Sequence, residues 1–71
     1  MTADQHTIAV IGLGSIGRRH ATNFSALGCR VLGFDPDPQS RETAENLEIE
    51  TCDKRSTALN AATAAVICSP S

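Results

Sequence analysis

Apolar residues along the chain fall into short runs, separated by turn-forming residues and by stretches with helical spacing. Residues 7–11 and 64–68 are almost entirely apolar, as expected for parallel strands that are covered on both faces. Residues 30–34 form a third apolar run, whereas residues 48–52 alternate between polar and apolar side chains. The pattern therefore predicts four strands, of which the third lies partly exposed at a sheet edge and the fourth is fully buried.

Three helices are predicted between these strands. The first covers residues 15–27, where one face collects the apolar side chains of Ile16, Ala21, Phe24 and Leu27. The second begins at Pro38, because Asp37 is a favourable N-cap and proline is favourable at the first helical position, and it ends near residue 47. A short third helix lies within residues 53–61. The resulting order β-α-β-α-β-α-β predicts an α/β fold with a parallel sheet, right-handed crossovers and helices on both faces.

A glycine pattern joins the first strand to the first helix. Gly12, Gly14 and Gly17 form G-x-G-x-x-G, and Asp35 stands at the end of the second strand. A lone G-x-G-x-x-G is common by chance, but the context of strand, glycine turn, helix, strand and acid is the dinucleotide-binding fingerprint. We therefore expect a Rossmann-type fold. Residues 1–71 would form the N-terminal part of a dinucleotide-binding domain, and the remainder of that domain and a substrate domain would lie elsewhere in a larger protein.

Each residue of the turn has a predicted role. Gly12 permits the tight turn out of the strand, Gly14 lets a pyrophosphate approach the backbone, and Gly17 lets the helix pack close to the sheet. The backbone N–H groups of Ser15 and Ile16 begin the helix without intrahelical acceptors, at the positive end of its dipole. An anionic pyrophosphate satisfies both needs, so these residues are predicted to bind the cofactor.

Residues after the second and fourth strands complete the predicted site. Asp35 is expected to accept hydrogen bonds from the adenosine ribose hydroxyls and to repel a 2′-phosphate, so NAD is favoured over NADP. Arg41 lies on the following helix, from which its positive side chain could turn back towards a 2′-phosphate. The exclusion of NADP is therefore less firm. Ser69 and Pro70 follow the fourth strand and border the crevice beside the first strand, so they are predicted to contact the cofactor.

Composition narrows the functional classes. The net charge is −2 without a basic cluster, which argues against a nucleic-acid partner, and no apolar run approaches the ~20 residues that span a bilayer. The three cysteines are widely spaced and lack the patterns of a disulfide framework or a metal site. Free thiols favour a reducing compartment, so a cytoplasmic location is expected.

Residues 10–20, followed by Asn23, resemble the start of the Gfo/Idh/MocA family of NAD(P)-dependent oxidoreductases. The positions that match the family pattern are Gly12, Gly14, Gly17, His20 and Asn23, with Asp35 at the position of the ribose-binding acid. The resemblance implies a parent protein that transfers hydride between the nicotinamide and a sugar or polyol substrate. It also implies that the catalytic residues, including a Glu-Lys-Pro motif, come later, so that this chain would be inactive alone.

Three alternatives stay open at this point. The first is a binding-only module that senses NAD(H) as part of a regulator. An S-adenosylmethionine methyltransferase also uses a glycine-rich turn, but such enzymes usually carry an acid just before it, where this chain has Ala9, Val10 and Ile11. An FAD-binding half is the third alternative, since Ala21 would keep the helix close to the sheet. For the parent protein, a homo-oligomeric state also stays open.

Overall fold

The computed structural model describes residues 6–68, which alternate between strand and helix throughout. The elements are β1 (Thr7–Ile11), α1 (Ser15–Ala26), β2 (Arg30–Phe34), α2 (Pro38–Asn46), β3 (Glu50–Thr51), α3 (Arg55–Ala61) and β4 (Ala64–Ile67). The strands form one parallel sheet in the order β3-β2-β1-β4. The predicted Rossmann-type α/β architecture is confirmed, and β1 and β2 have the predicted bounds.

The register brings three strand ends to one level. Ile11 at the end of β1 pairs with Phe34 of β2 on one side and with Ile67 of β4 on the other. The ladder continues past the strands, since Gly12 donates its N–H to the Phe34 carbonyl at 2.8 Å and Cys68 donates to the Ile11 carbonyl at 2.7 Å. The carboxyl ends of the three strands therefore meet around the glycine turn.

Alternate residues of β1 serve two cores, one on each face of the sheet. Ile8 and Val10 belong to the larger core beneath α1 and α2, whereas Ala9 and Ile11 pack towards α3. The larger core contains Ile8, Val10, Leu13, Ala21, Val31, Ala44 and Ile49. Since successive side chains of a strand point to opposite faces, this division confirms that helices cover the sheet on both sides.

The predicted apolar face of α1 is partly wrong. Ile16 is 66% exposed, and Leu27, which follows the last helical residue, is 77% exposed. The residues that face the sheet are Gly17 and Ala21, both buried, with Phe24 half-buried beside them. The helix lies so close to the sheet that its contact stripe needs small side chains, which a search for large apolar residues overlooks.

The prediction that the fourth strand is fully buried is also wrong. Ala64, Ala65 and Ile67 of β4 are exposed and only Val66 is half-buried. β4 pairs with β1 alone and forms one edge of the sheet among the described residues. At the opposite edge, β3 has only two residues and is partly exposed as predicted. Within residues 6–68, no helix has both the length and the apolarity needed to cross a bilayer.

Candidate functional site

A cavity of about 460 Å³ opens where β1, β2 and β4 end. Its lining residues are Gly14, Ser15, Ile16, Gly17, Asp35, Asp37, Ser40 and Cys68. The structure thus brings five of the predicted site residues together in one place, while Gly12 lies at the strand end below them. Ser69 and Pro70 fall outside the described residues.

The N-terminus of α1 faces this cavity without a side-chain cap. Gly14 is the N-cap residue and makes no side-chain hydrogen bond, and no acidic residue stands in the first helical turn. Apart from its chain neighbours, no atom of the described residues would lie within 4 Å of a Cβ added to Gly14, so this side of the backbone borders open space in the described part of the chain. Free N–H groups at the positive end of a helix, next to open space, form a suitable site for an anion such as a pyrophosphate.

Close backbone contacts hold the start of α1 against the strand ends. Gly12 has φ +102°, a conformation that side chains disfavour, and a Cβ there would overlap the carbonyl oxygen of Cys68. A Cβ on Gly17 would likewise overlap the carbonyl oxygen of Gly12. Glycine at both positions therefore lets the helix, the turn and the end of β4 approach one another without a side chain between them.

Asp35 connects the glycine turn to the residues that follow β2. Its Oδ2 accepts a hydrogen bond from the backbone N–H of Leu13 at 2.7 Å, and its Oδ1 accepts one from the N–H of Asp37 at 2.8 Å. A carboxylate has about four lone-pair positions, so two stay available for further donors such as ribose hydroxyls. Asp35 is therefore both a candidate ligand for the ribose and a structural support of the turn.

The side chain of Leu13 packs against β2 and holds the turn in place. Its side chain is fully buried and lies across Gly33, so that a Cβ on Gly33 would stand 2.9 Å from the Leu13 Cδ2. On the other side of the turn, the Nη1 of Arg18 donates to the Leu13 carbonyl at 3.2 Å. The position of the turn thus depends on contacts with β2 and α1 as well as on its own glycines.

Replacing Gly33 with alanine is expected to displace Leu13 and, with it, the N–H that Asp35 accepts. We expect a loss of about 1–3 kcal/mol in the free energy of unfolding, typical of overpacking, and a several-fold loss in NAD affinity. Urea denaturation and calorimetric titration with NAD measure the two effects. Leu13→Val shortens the side chain and should restore part of both losses in the Gly33→Ala background. Strictly additive effects of the two substitutions would contradict the proposed contact.

Arg41 lies away from the cavity. It lines a separate cleft between α2, β3 and α3, together with the acidic residues Glu45 and Asp53. Burial raises the pKa of the Cys52 thiol in this cleft, so the thiol is protonated at neutral pH. Arg41 is therefore not among the residues that line the cavity with Asp35.

His20 and Asn23 lie on the body of α1 and do not line the cavity. His20 is half-buried, with its ring tilted against that of Phe24 at a centroid distance of 6.5 Å, and Asn23 is exposed. Both positions contributed to the resemblance described above, but their surroundings are those of a packed helix and a helix surface.

Three lining residues were not predicted as site residues. Asp37 was predicted as a helix cap, which it is, since it accepts from the N–H of Gln39 at 3.0 Å. Asp37 stands three positions before Ser40, a spacing that brings the two side chains together in the first helical turn. This contact could have been predicted from the sequence. Cys68 lines the cavity because it directly follows β4, beside Gly12.

Similarity to known proteins identifies the family. The whole chain, residues 1–71, matches the family described as D-isomer specific 2-hydroxyacid dehydrogenase, NAD binding domain. The chain is 38% identical to erythronate-4-phosphate dehydrogenases from strains of Acinetobacter baumannii over 48 residues, which are 68% of this chain and 13% of theirs. It is 39% identical over 41 residues to a peroxisomal bifunctional enzyme of Cavia porcellus, covering 58% of this chain and 6% of that protein. No solved structure matches the chain.

These matches overturn the resemblance to the Gfo/Idh/MocA family. A glycine turn and an acid after the second strand recur in many families of NAD-dependent enzymes. They therefore do not distinguish one such family from another. The two more specific positions, His20 and Asn23, are not among the residues that line the cavity.

The matched stretch spans only 13% of the length of the dehydrogenases from Acinetobacter baumannii. Within that short length, the chain contains the glycine turn, the uncapped helix and the acid after β2, all of which line or support one cavity. The chain belongs to the D-isomer specific 2-hydroxyacid dehydrogenase family, and its residues are part of the NAD-binding domain.

Proposed function

We propose that these residues hold the adenosine and pyrophosphate half of NAD in a D-isomer specific 2-hydroxyacid dehydrogenase. The observation that carries the proposal is the single cavity that combines the uncapped N-terminus of α1 with the carboxylate of Asp35. Donors for a pyrophosphate and an acceptor for ribose hydroxyls stand side by side there, as the two parts of an ADP group require.

Each lining residue then has a defined task. The N–H groups of Ser15 and Ile16 donate to the pyrophosphate oxygens, and Gly14 leaves the space that the pyrophosphate fills. Asp35 accepts hydrogen bonds from the ribose hydroxyls with the lone pairs that Leu13 and Asp37 do not use. When NAD is bound, its nicotinamide supplies the hydride acceptor, and the residues of this chain fix the other end of the cofactor.

For the whole protein, we propose reversible oxidation of a 2-hydroxy acid to a 2-oxo acid, with catalytic groups outside these 71 residues. Family membership supports the substrate class. The similar proteins named erythronate-4-phosphate dehydrogenase make erythronate 4-phosphate one candidate to assay. The expectation of a sugar or polyol substrate came from the resemblance to the Gfo/Idh/MocA family, which the matches overturn, so we propose the 2-hydroxy acid in its place. The free thiols of Cys29, Cys52 and Cys68 support the further proposal of a reducing, cytoplasmic location.

Calorimetric titration of the chain with NAD, ADP-ribose and NADP tests the proposal. We expect one NAD per chain, similar affinity for ADP-ribose, and at least about tenfold weaker binding of NADP, because an extra phosphate would meet the charge of Asp35. ADP-ribose should nearly match NAD, since the lining residues contact the half that the two ligands share. No binding of either ligand would contradict the proposed function, and tighter binding of NADP would contradict the assignment of Asp35.

A further inference from the structure

Residues 35–40, which comprise the connection after β2 and the first turn of α2, form a negatively charged wall of the cavity. We call it the β2–α2 corner. Asp35, Asp37 and Ser40 of the corner all line the cavity, and no basic residue is among the lining residues. The adenosine ribose that Asp35 would hold lies next to this corner, so its 2′ substituent meets the groups found here.

Three donors of the corner are engaged by its own carboxylates. The N–H of Asp37 donates to Asp35 Oδ1 at 2.8 Å, and the N–H of Gln39 donates to Asp37 Oδ1 at 3.0 Å. The hydroxyl of Ser40 donates to Asp37 Oδ2 at 3.3 Å. Pro38, the first residue of α2, has no N–H to offer. Asp37 therefore occupies the anion position at the start of α2 that a phosphate would otherwise use.

We propose that Asp37 is a second specificity-determining residue, which acts with Asp35 to exclude NADP. The proposal rests on the proposed function, because it assumes that NAD occupies the cavity. A 2′-phosphate would bring two negative charges towards the carboxylates of Asp35 and Asp37. It would find the N–H of Gln39 and the hydroxyl of Ser40 already donating to Asp37. Arg41 is not among the residues that line the cavity; it lines the separate cleft with Glu45 and Asp53.

Asp37→Asn is the direct test, because asparagine caps a helix about as well as aspartate and removes only the charge. Asp37→Ser also keeps a capping oxygen and introduces no amide donor. Glu42→Gln is the matched control: it removes one negative charge from the same helix at an exposed position that does not line the cavity. Each full-length variant is titrated with NAD and NADP at low and high salt, and its thermal unfolding is recorded.

Both Asp37 variants should bind NADP on the order of tenfold more tightly than the wild type, with NAD affinity changed less than about twofold. The gain should shrink as the salt concentration rises from ~0.05 M to ~0.5 M, since screening weakens a charge effect. Glu42→Gln should leave both affinities unchanged. Unchanged NADP affinity in both Asp37 variants, with NAD binding intact, would overturn this inference alone. A wild-type chain that binds no NAD would overturn the proposed function as well.

Discussion

Replacing Gly14 with valine is expected to lower the affinity of the chain for NAD by about 100-fold, or roughly 2.7 kcal/mol. The side of Gly14 that a Cβ would occupy borders the cavity, and apart from the chain neighbours no atom of residues 6–68 lies within 4 Å of that position. A branched side chain there takes the space that the pyrophosphate needs and keeps the phosphates away from the N–H groups of Ser15 and Ile16.

The fold should tolerate the same change. Gly14 has φ −67° and ψ −170°, an extended conformation that any L residue adopts, so valine brings no backbone strain. As an N-cap, valine is poorer than glycine by about 1 kcal/mol or less. Calorimetric titration and thermal unfolding of Gly14→Ala and Gly14→Val should show affinity falling with side-chain size. Ser25→Val, at an exposed position near the far end of α1, controls for a β-branched residue in this helix. Wild-type affinity in Gly14→Val would mean that the turn is purely structural.

The parts of this fold that depend on local pattern were predictable from the sequence. Strands β1 and β2 and the start of α2 follow from apolar runs, from the Asp37 cap and from proline at the first helical position. The glycine turn was equally visible, because G-x-G-x-x-G stands between a predicted strand and a predicted helix, with an acid after the next strand, and that context is specific. In these cases a short stretch of sequence contains nearly all of the physical information.

The errors concern features that depend on contacts between residues far apart in the sequence. The exposure of β4 depends on which strands flank it, and a uniformly apolar sequence does not specify that. The hydrogen bond from Leu13 to Asp35 joins residues 22 positions apart, and only the register of β1 and β2 brings them together. The predicted family was wrong for a related reason, since His20 and Asn23 match the Gfo/Idh/MocA pattern by residue type but do not line the cavity.

The hydrogen bonds of Asp35 lead to the second prediction, which separates two roles of one carboxylate. Asp35→Ala removes the acceptor of the partly buried Leu13 N–H. It also removes the charge that we propose faces the ribose. Leaving a buried donor without an acceptor costs about 1–3 kcal/mol, so the free energy of unfolding should fall by that amount. NAD affinity should fall by roughly 100-fold, because the ribose loses its acceptor and the turn loses its support.

Asp35→Asn is the matched partner, since it removes the same charge but keeps one acceptor oxygen. The Leu13 N–H is partly buried and the Asp37 N–H is exposed, so the remaining oxygen should serve Leu13 and water should serve Asp37. The asparagine variant should therefore be more stable than the alanine variant and should hold the turn in place. Its NAD affinity should fall only about tenfold, because the retained oxygen still accepts from the Leu13 N–H and holds the turn.

Inorganic pyrophosphate, which has no ribose, distinguishes support of the turn from contact with the sugar. Both variants lack the negative charge of Asp35, so any gain in anion binding from the lost repulsion is the same in each. If Asp35 positions the turn through Leu13, Asp35→Asn should bind pyrophosphate several-fold more tightly than Asp35→Ala and unfold at a higher urea concentration. Equal pyrophosphate affinities and equal unfolding free energies in the two variants would show that the Leu13 hydrogen bond has no part in holding the phosphate site. In that case Asp35 would act on the ribose alone.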